Sequence, residues 1–413
     1  MKKTQQDHIV IIGAGFAGLM AAVRLSRKSK QLPMKITLIN ASDEYIIRPR
    51  LHEWATNQTH QRQKIEDMLS GTGIEFLKAW VTELHPKENS LSAQTNEGLA
   101  TITYDSLIVA LGSHVDTKSI NGIKDYAYVL DAHAERGAEA LRQKLLGYQH
   151  KNGNVVVIGG GATGIEGATH IKSLYPHLDV TIVTSQTLGS FKQDERVERE
   201  IQASFVEQAI NVVDNHSVRN IQAEKVILAN GHELPFDVCV WAGGFTAPTL
   251  GREAGLQVNA QNQILIDPYQ RALGYPNIIA VGDCAFPVEV PGQPYRMCCP
   301  VAMTMGAHAA DNMLRSLAGK AEKPLSFDYY EQGIQLGIHD AIGWLAYPDD
   351  NVHLTVTRGK PALMIRNAIL ASLDVIFDYE KRYGIYSWLG KNRYAKNKAK
   401  GENSATTLSK QSV

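Results

Sequence analysis

The sequence predicts an α/β fold. Two modules, each a parallel sheet layered between helices, are expected, the second inserted into the first, with a smaller α+β segment at the end. Three observations lead there. A β-branched apolar run, then G-x-G-x-x-G, then a helical stretch occupies residues 9–18, and the same pattern returns at 155–164. Each is followed by a second apolar strand, at 35–39 and at 179–183. The run 104–112 is echoed by 236–244: both read aromatic-Asp, a buried strand, then small residues and Gly.

Composition agrees. At roughly 150 residues per domain, 413 residues make two to three units. Hydrophobic residues at 44% and charged residues at 20% exclude disorder as the main state. The 42 basic side chains are matched by 42 acidic ones, which argues against a nucleic-acid binder resting on a basic face. Four Cys, two of them adjacent (Cys298, Cys299), are too few for a disulfide scaffold and suit a reducing compartment. The apolar run after His8 carries three Gly and belongs to a nucleotide motif, so no signal peptide is expected. No apolar stretch reaches 18 residues, so no spanning helix is expected either. The expected location is cytoplasmic.

The elements follow in order. Residues 1–120 form the first part of one dinucleotide-binding module, 121–265 the inserted second module, and 266–325 the return to the first. In that return, 277–281 is a short strand ending in Gly282-Asp283, and 301–317 has helical spacing. The segment 326–390 reads as sheet over 327–356, then an amphipathic helix over 366–379 with apolar residues at 369, 370, 373, 376 and 377. From Lys391 the tail holds six basic residues and one acid, and is expected to be disordered.

Each Gly triplet carries chemistry. Gly13, Gly15 and Gly18 supply the tight turn, the close approach to pyrophosphate and the helix–strand contact; Gly159, Gly161 and Gly164 repeat them. The helices that begin near Phe16-Ala17 and near Thr163 offer free amides to an anion. A single triplet also fits a Gly-rich turn without a ligand; two in βαβ context point to dinucleotides. Small residues at the ends of the echoed strands, Ala110 and Gly112, Gly243 and Gly244, let backbone approach a flat ligand. The acid expected about 20 residues after the first triplet, near Asn40, is replaced by an amide, with Asp43 and Glu44 close by. After the second triplet the strand ends Val183-Thr184-Ser185-Gln186, with neither a carboxylate for a free 2′-hydroxyl nor an Arg for a 2′-phosphate. NADH and NADPH both stay open.

These motifs, with the stretch 45–53 (YIIRPRLHE), Glu166 two residues after the second triplet, Trp241-Ala242-Gly243-Gly244 and Gly282-Asp283, resemble the two-dinucleotide-domain flavoproteins of the pyridine nucleotide-disulfide oxidoreductase superfamily. Within it the chain looks most like the type II NADH dehydrogenase branch, over residues 8–390. The resemblance implies FAD in the first module and NAD(P)H in the second. It implies Asp283 and Arg48 at the ribityl-phosphate portion of the flavin, the backbone at Val81 along the adenine, and Gly243 and Gly244 clearing space for the nicotinamide. It places Glu166 on the first turn of its helix, facing the nicotinamide amide; the alternative is an ordinary helix-end acid. Hydride would pass from nicotinamide to flavin, so no protein nucleophile is needed.

The acceptor is less legible. No Cys lies at 40–60, so dithiol catalysis is rejected. Cys298-Cys299 reads as separately packed thiols with a redox pair as the alternative, and Cys284 as core. The Gln residues that line the quinone site in the type II branch are absent; Met303 and Met305 line an apolar pocket or belong to the core. A quinone or other small acceptor is expected, with an electron-carrier protein such as a ferredoxin, or a redox-sensing role without turnover, as alternatives. Residues 385–389 before the basic tail read either as an interfacial helix on the inner face of the cytoplasmic membrane or as a docking helix. A homodimer is expected. His52, His60 and His308 lack metal-ligand spacing, so no metal is expected.

Overall fold

A computed structural model describes residues 6–29, 32, 34–56, 62–288 and 295–390. The expectation for the tail from Lys391, and that for His60, lie outside the described residues. Two parallel sheets organise the chain. The first runs, edge to edge, Ala285–Pro287, Ile264–Ile266, Arg271–Ala272, Tyr275–Ala280, Ser106–Val109, Asp7–Ile12, Met34–Asn40 and Glu75–Lys78; the last five are mutually parallel. The second runs Tyr128–Val129, Val238–Trp241, Asn154–Ile158, Asp179–Val183 and Asn211–Val213, all parallel. In both, the motif strand lies between its βαβ partner and the strand of the echoed run.

The central strands read as near-continuous β-branched runs because both faces are covered. Ile9–Ile12 and Val155–Ile158 are buried throughout. On one face of the first sheet the helix Phe16–Ser29 crosses the helix Cys299–Leu317 so closely that a Cβ on Gly306 would collide with the Ala17 carbonyl. Burying one large aliphatic side chain here contributes about 1.5–3 kcal/mol.

The third part is a three-stranded antiparallel sheet, Glu331–Gln335, Ala341–Ala346 and Val352–Arg358, covered by the helix Lys360–Tyr383. That helix is longer than the expected 366–379. Pro361 sits in its first turn, where a missing N–H costs nothing, and Gly384 (φ 61°) ends it in the left-handed region. Two antiparallel meanders, Trp80–Thr103 by extent and Val218–Pro235 by extent, were not foreseen; their short polar strands lack a clear period. The strand Ile264–Ile266 belongs to the first sheet, so the expected boundary at 265/266 falls inside it. The two crossings between modules pair with each other, His114–Val115 against Phe245–Thr246.

Candidate active site

The two Gly loops face one cavity of about 2000 Å³. A single small-molecule site is typically about 300–1,000 Å³, so the space suits two extended ligands together. At the first loop, Gly13 has φ +97° and a Cβ there would collide with the Ala110 carbonyl. A Cβ on Gly18 would collide with the Gly13 carbonyl, whereas one on Gly15 would meet nothing. The second loop repeats this. Gly159 (φ +127°) abuts the Ala242 carbonyl, Gly164 abuts the Gly159 carbonyl, and Gly161 faces open space. In each loop two glycines are required by backbone packing, and the middle one opens on the cavity. Neither helix carries an acid in its first turn, so nothing there opposes an anion. Gly18 and Gly164 do not line the cavity; they hold helix to strand.

The other expected positions, Phe16, Ala17, Asn40, Arg48, Val81, Ala110, Gly112, Gly282 and Asp283 on the first-module side, and Thr163, Glu166, Gly243 and Gly244 on the second, all line the cavity. Several have contacts the sequence did not reveal. Asn40 accepts from the Ala14 N–H (2.9 Å) and donates to the Ser42 carbonyl (2.7 Å), so its carbonyl braces the Gly loop instead of standing free for a ribose. Of the acids nearby, Asp43 is held by Lys78 and Glu44 by Arg62. Gly243 must be glycine because a Cβ would strike the Trp241 indole.

Asp283 is tied to the crossing. The Ser113 hydroxyl donates to its carboxylate (2.7 Å), and Arg48 donates to the Ser113 carbonyl. Burial raises the Asp283 pKa, while Ser113 and the Arg48 charge oppose the rise. Ser113 was missed, although it directly follows the Ala110-Leu111-Gly112 motif.

Glu166 sits on the second turn of the helix Ala162–Leu174, not the first, and is not a helix-end charge. Its carboxylate accepts from the Gln335 N–H (3.0 Å) and from Arg366 (3.1 Å), and lies 3.7 Å from His52 Nδ1. Arg366, buried on the C-terminal helix, also reaches Glu53 (3.3 Å). His170, one turn on from Glu166, is fully buried, its ring edge-on to His52 with centroids 5.0 Å apart. Burial, then the neighbouring His52, lowers its pKa to about 3. Three parts of the chain therefore converge on Glu166. His52 and Glu53 stood inside the quoted stretch 45–53; Arg366, 200 positions from Glu166, gave no local signal.

All four cysteines are free thiols. Cys298 and Cys299 line the cavity at the start of the Cys299–Leu317 helix, and burial pushes Cys298 up to about 11 and Cys299 higher still. Protonated thiols are poor nucleophiles. Cys284 is core, as are Met303 and Met305, which do not line the cavity.

The pyridine nucleotide-disulphide oxidoreductase family matches residues 7–306. The chain is 25% identical over 389 residues to a type II NADH:quinone oxidoreductase from Staphylococcus saprophyticus, spanning 87% of this chain and 93% of that protein. Its fold is similar to that of the sulfide:quinone oxidoreductase of Aquifex aeolicus, with a TM-score of 0.77, 21% identity and 92% and 96% of the two chains covered. It is also similar to NDH2 from Plasmodium falciparum in complex with NADH, at 0.75, 16%, 92% and 99%. Fold and site thus define a two-dinucleotide-domain flavoprotein. The chain belongs to the pyridine nucleotide-disulphide oxidoreductase family and is an FAD-dependent oxidoreductase that uses NAD(P)H.

Proposed function

We propose that the chain is an NAD(P)H dehydrogenase that passes electrons through FAD to a quinone. The observation that carries this is the pair of matched Gly loops opening on one shared cavity. FAD, when bound, supplies two-electron chemistry, taking a hydride from a nicotinamide and releasing the electrons to a second substrate. The chain's own residues bind, orient and exclude water. Gly13, Gly15, Phe16 and Ala17 hold the FAD pyrophosphate, with Gly18 packing the helix behind them and Asn40 bracing the loop. Val81 runs beside the adenine, Ala110 and Gly112 leave room for the ring system, and Arg48, Gly282 and Asp283 face the ribityl-phosphate portion. Gly159, Gly161 and Thr163 take the NAD(P)H pyrophosphate with Gly164 behind, and Gly243 and Gly244 clear the nicotinamide. Glu166, fixed by Gln335 and Arg366, orients the carboxamide.

The quinone assignment rests on the relatives' activities, since the Gln residues expected in that branch are absent. The C-terminal helix presents Met364, Val375, Tyr379 and Tyr383 to solvent, and we place this face on the inner surface of the cytoplasmic membrane, where a quinone is met. The active form proposed is a homodimer. No helix among the described residues is long and apolar enough to cross a membrane.

Anaerobic stopped-flow tests the function. NADH or NADPH should bleach the bound flavin, and a soluble quinone analogue should restore the colour within the turnover time. Reoxidation only by an iron–sulfur carrier would reassign the acceptor. Slow reoxidation by every oxidant, with a change of mass on reduction, would make the protein a sensor. Folded protein that stays colourless after FAD addition would end the reading.

A further inference from the structure

The strand Glu331–Gln335 is an edge of its sheet, and its two ends serve different parts of the cavity. At one end the Gln335 N–H holds Glu166 on the second-module side. At the other stands Glu331, about 13 Å away along an extended chain. Glu331 is half-buried and lines the cavity. A Cβ on Gly333 would lie 3.4 Å from Glu331 Oε1 and 3.7 Å from Arg366 Cβ, so the carboxyl lies over Gly333 on the face turned to the C-terminal helix. On that helix Arg366, Ile369 and Leu370 share one face, and all three line the cavity. Cys299, which senses the Glu331 charge, and Pro300 line it from the start of the helix Cys299–Leu317. This end of the cavity is therefore walled largely by apolar groups around one carboxyl.

Other acids that line the cavity are engaged. Glu166 is held by Arg366, Asp283 by Ser113, and Asp350 by Lys192 and Arg296. Glu331 makes no hydrogen bond and no ion pair among the described residues. The charged and titratable groups that face it are Arg296, Cys299 and Tyr330, with Arg366 across Gly333. Both arginines are paired elsewhere, Arg296 with Asp350 and Arg366 with Glu53 and Glu166. Burial raises the Glu331 pKa, and the Arg296 charge opposes the rise. The acid form is therefore kept to higher pH than on a surface carboxyl, and its proton faces the cavity.

Reduction of a quinone needs such a proton. NAD(P)H gives up a hydride, which is two electrons and one proton, whereas a hydroquinone holds two electrons and two protons more than the quinone. The second proton must reach a carbonyl oxygen as its C=O π bond opens. We propose that Glu331 is the general acid that supplies it: the carboxyl O–H bond breaks as the new O–H bond forms on the acceptor, and water then reprotonates the carboxylate. The proposal rests on the reading of the acceptor as a quinone.

Reoxidation of the full-length, FAD-loaded protein after anaerobic reduction by NADH or NADPH tests it with two oxidants. A soluble benzoquinone takes up protons; ferricyanide takes an electron and no proton. Glu331→Gln should slow reoxidation by the quinone about a hundredfold, the worth of a general acid, while the ferricyanide rate moves by less than about twofold. Glu331→Asp should recover part of the loss. In the parent the quinone rate should fall as pH rises through the pKa of the acid, because only the protonated form donates, and the Gln variant should lack this dependence. Without turnover, titration of the oxidised protein with a quinone analogue should give the same affinity for parent and Gln variant, and the infrared spectrum of the parent should hold a protonated-carboxyl band that the variant loses. Quinone reoxidation as fast in Glu331→Gln as in the parent would overturn the proposal and leave the acceptor reading standing, as would an equal loss with both oxidants or a parent rate flat in pH. If ferricyanide reoxidises the parent and the quinone does not, the acceptor reading fails and the proposal with it.

Discussion

At Gly15 a side chain meets no protein atom, while at Gly18, three residues on, it would meet the carbonyl of Gly13. The two substitutions should therefore fail differently. Gly15→Glu should leave a folded protein, by circular dichroism and melting temperature, that no longer retains FAD, because the carboxylate fills and repels the pyrophosphate position. Gly18→Ala should lower stability by about 1–3 kcal/mol through forced separation of helix and strand, read by denaturant titration. A Gly15→Glu protein that stays yellow would remove that loop from the cofactor site. This division of labour is legible in the sequence, since triplet spacing implies it. The partners of individual polar side chains were not. Asn40 bracing its own loop and Arg366 reaching Glu166 both depend on where distant segments arrive, and no local pattern encodes that.

The helix Ala162–Leu174 and the helix Lys360–Tyr383 meet through charge, and two predictions belong to that contact. Arg366 is buried between Glu53 and Glu166, so Arg366→Met should strand two carboxylates and cost about 3 kcal/mol in a denaturant titration, with Arg366→Lys recovering part of it. Flavin reduction by nicotinamide should slow in the Met variant as Glu166 loses its anchor; an unchanged rate would separate the cluster from the chemistry. His170 gives the pH dependence. Its folded pKa is lowered to about 3 from 6.5, so below pH 6.5 the unfolded chain binds a proton that the folded chain refuses. Stability is then lost as pH falls from about 6.5 towards 3, by up to about 1.4 kcal/mol per unit. His170→Phe should flatten that slope relative to the parent and stabilise the protein at neutral pH, since neither ring nitrogen has a hydrogen-bond partner among the described residues. Parallel acid profiles for the two proteins would refute the assignment. At this scale the repeated βαβ units and the two long C-terminal-half helices were readable, because buried parallel strands and amphipathic helices have strong periods. The meanders were not, because half-exposed short strands carry little pattern.

Across the whole molecule, single side chains tie the three parts together. Asp350, in the turn between the strands Ala341–Ala346 and Val352–Arg358, holds Lys192 of the second module at 2.9 Å and Arg296 of the first at 2.5 Å. Arg366 adds a second tie on the inner face of the C-terminal helix. The outer face of the same helix has Met364 72% exposed, Val375 44%, Tyr379 48% and Tyr383 60%, and Ile385 and Leu389 follow at 60% and 57%. The spacing 364, 375, 379, 383 follows one side of a helix, so the exposure is a stripe and not scatter. The sequence then continues into Lys391, Arg393, Lys396, Lys398 and Lys400, each worth about 1 kcal/mol near an anionic lipid surface. An apolar stripe followed in the sequence by a cationic run suits adsorption to acidic bilayers better than burial in a core. The protein should therefore co-sediment with vesicles containing anionic lipid at low salt, and less so as salt is raised. Replacing Val375 and Tyr379 together with Asp should reduce co-sedimentation about tenfold and leave the rate of flavin bleaching by nicotinamide unchanged, because neither side chain lines the cavity. If the parent does not sediment with vesicles, and light scattering shows a dimer that the double variant splits, the stripe faces a second copy of the chain instead of lipid.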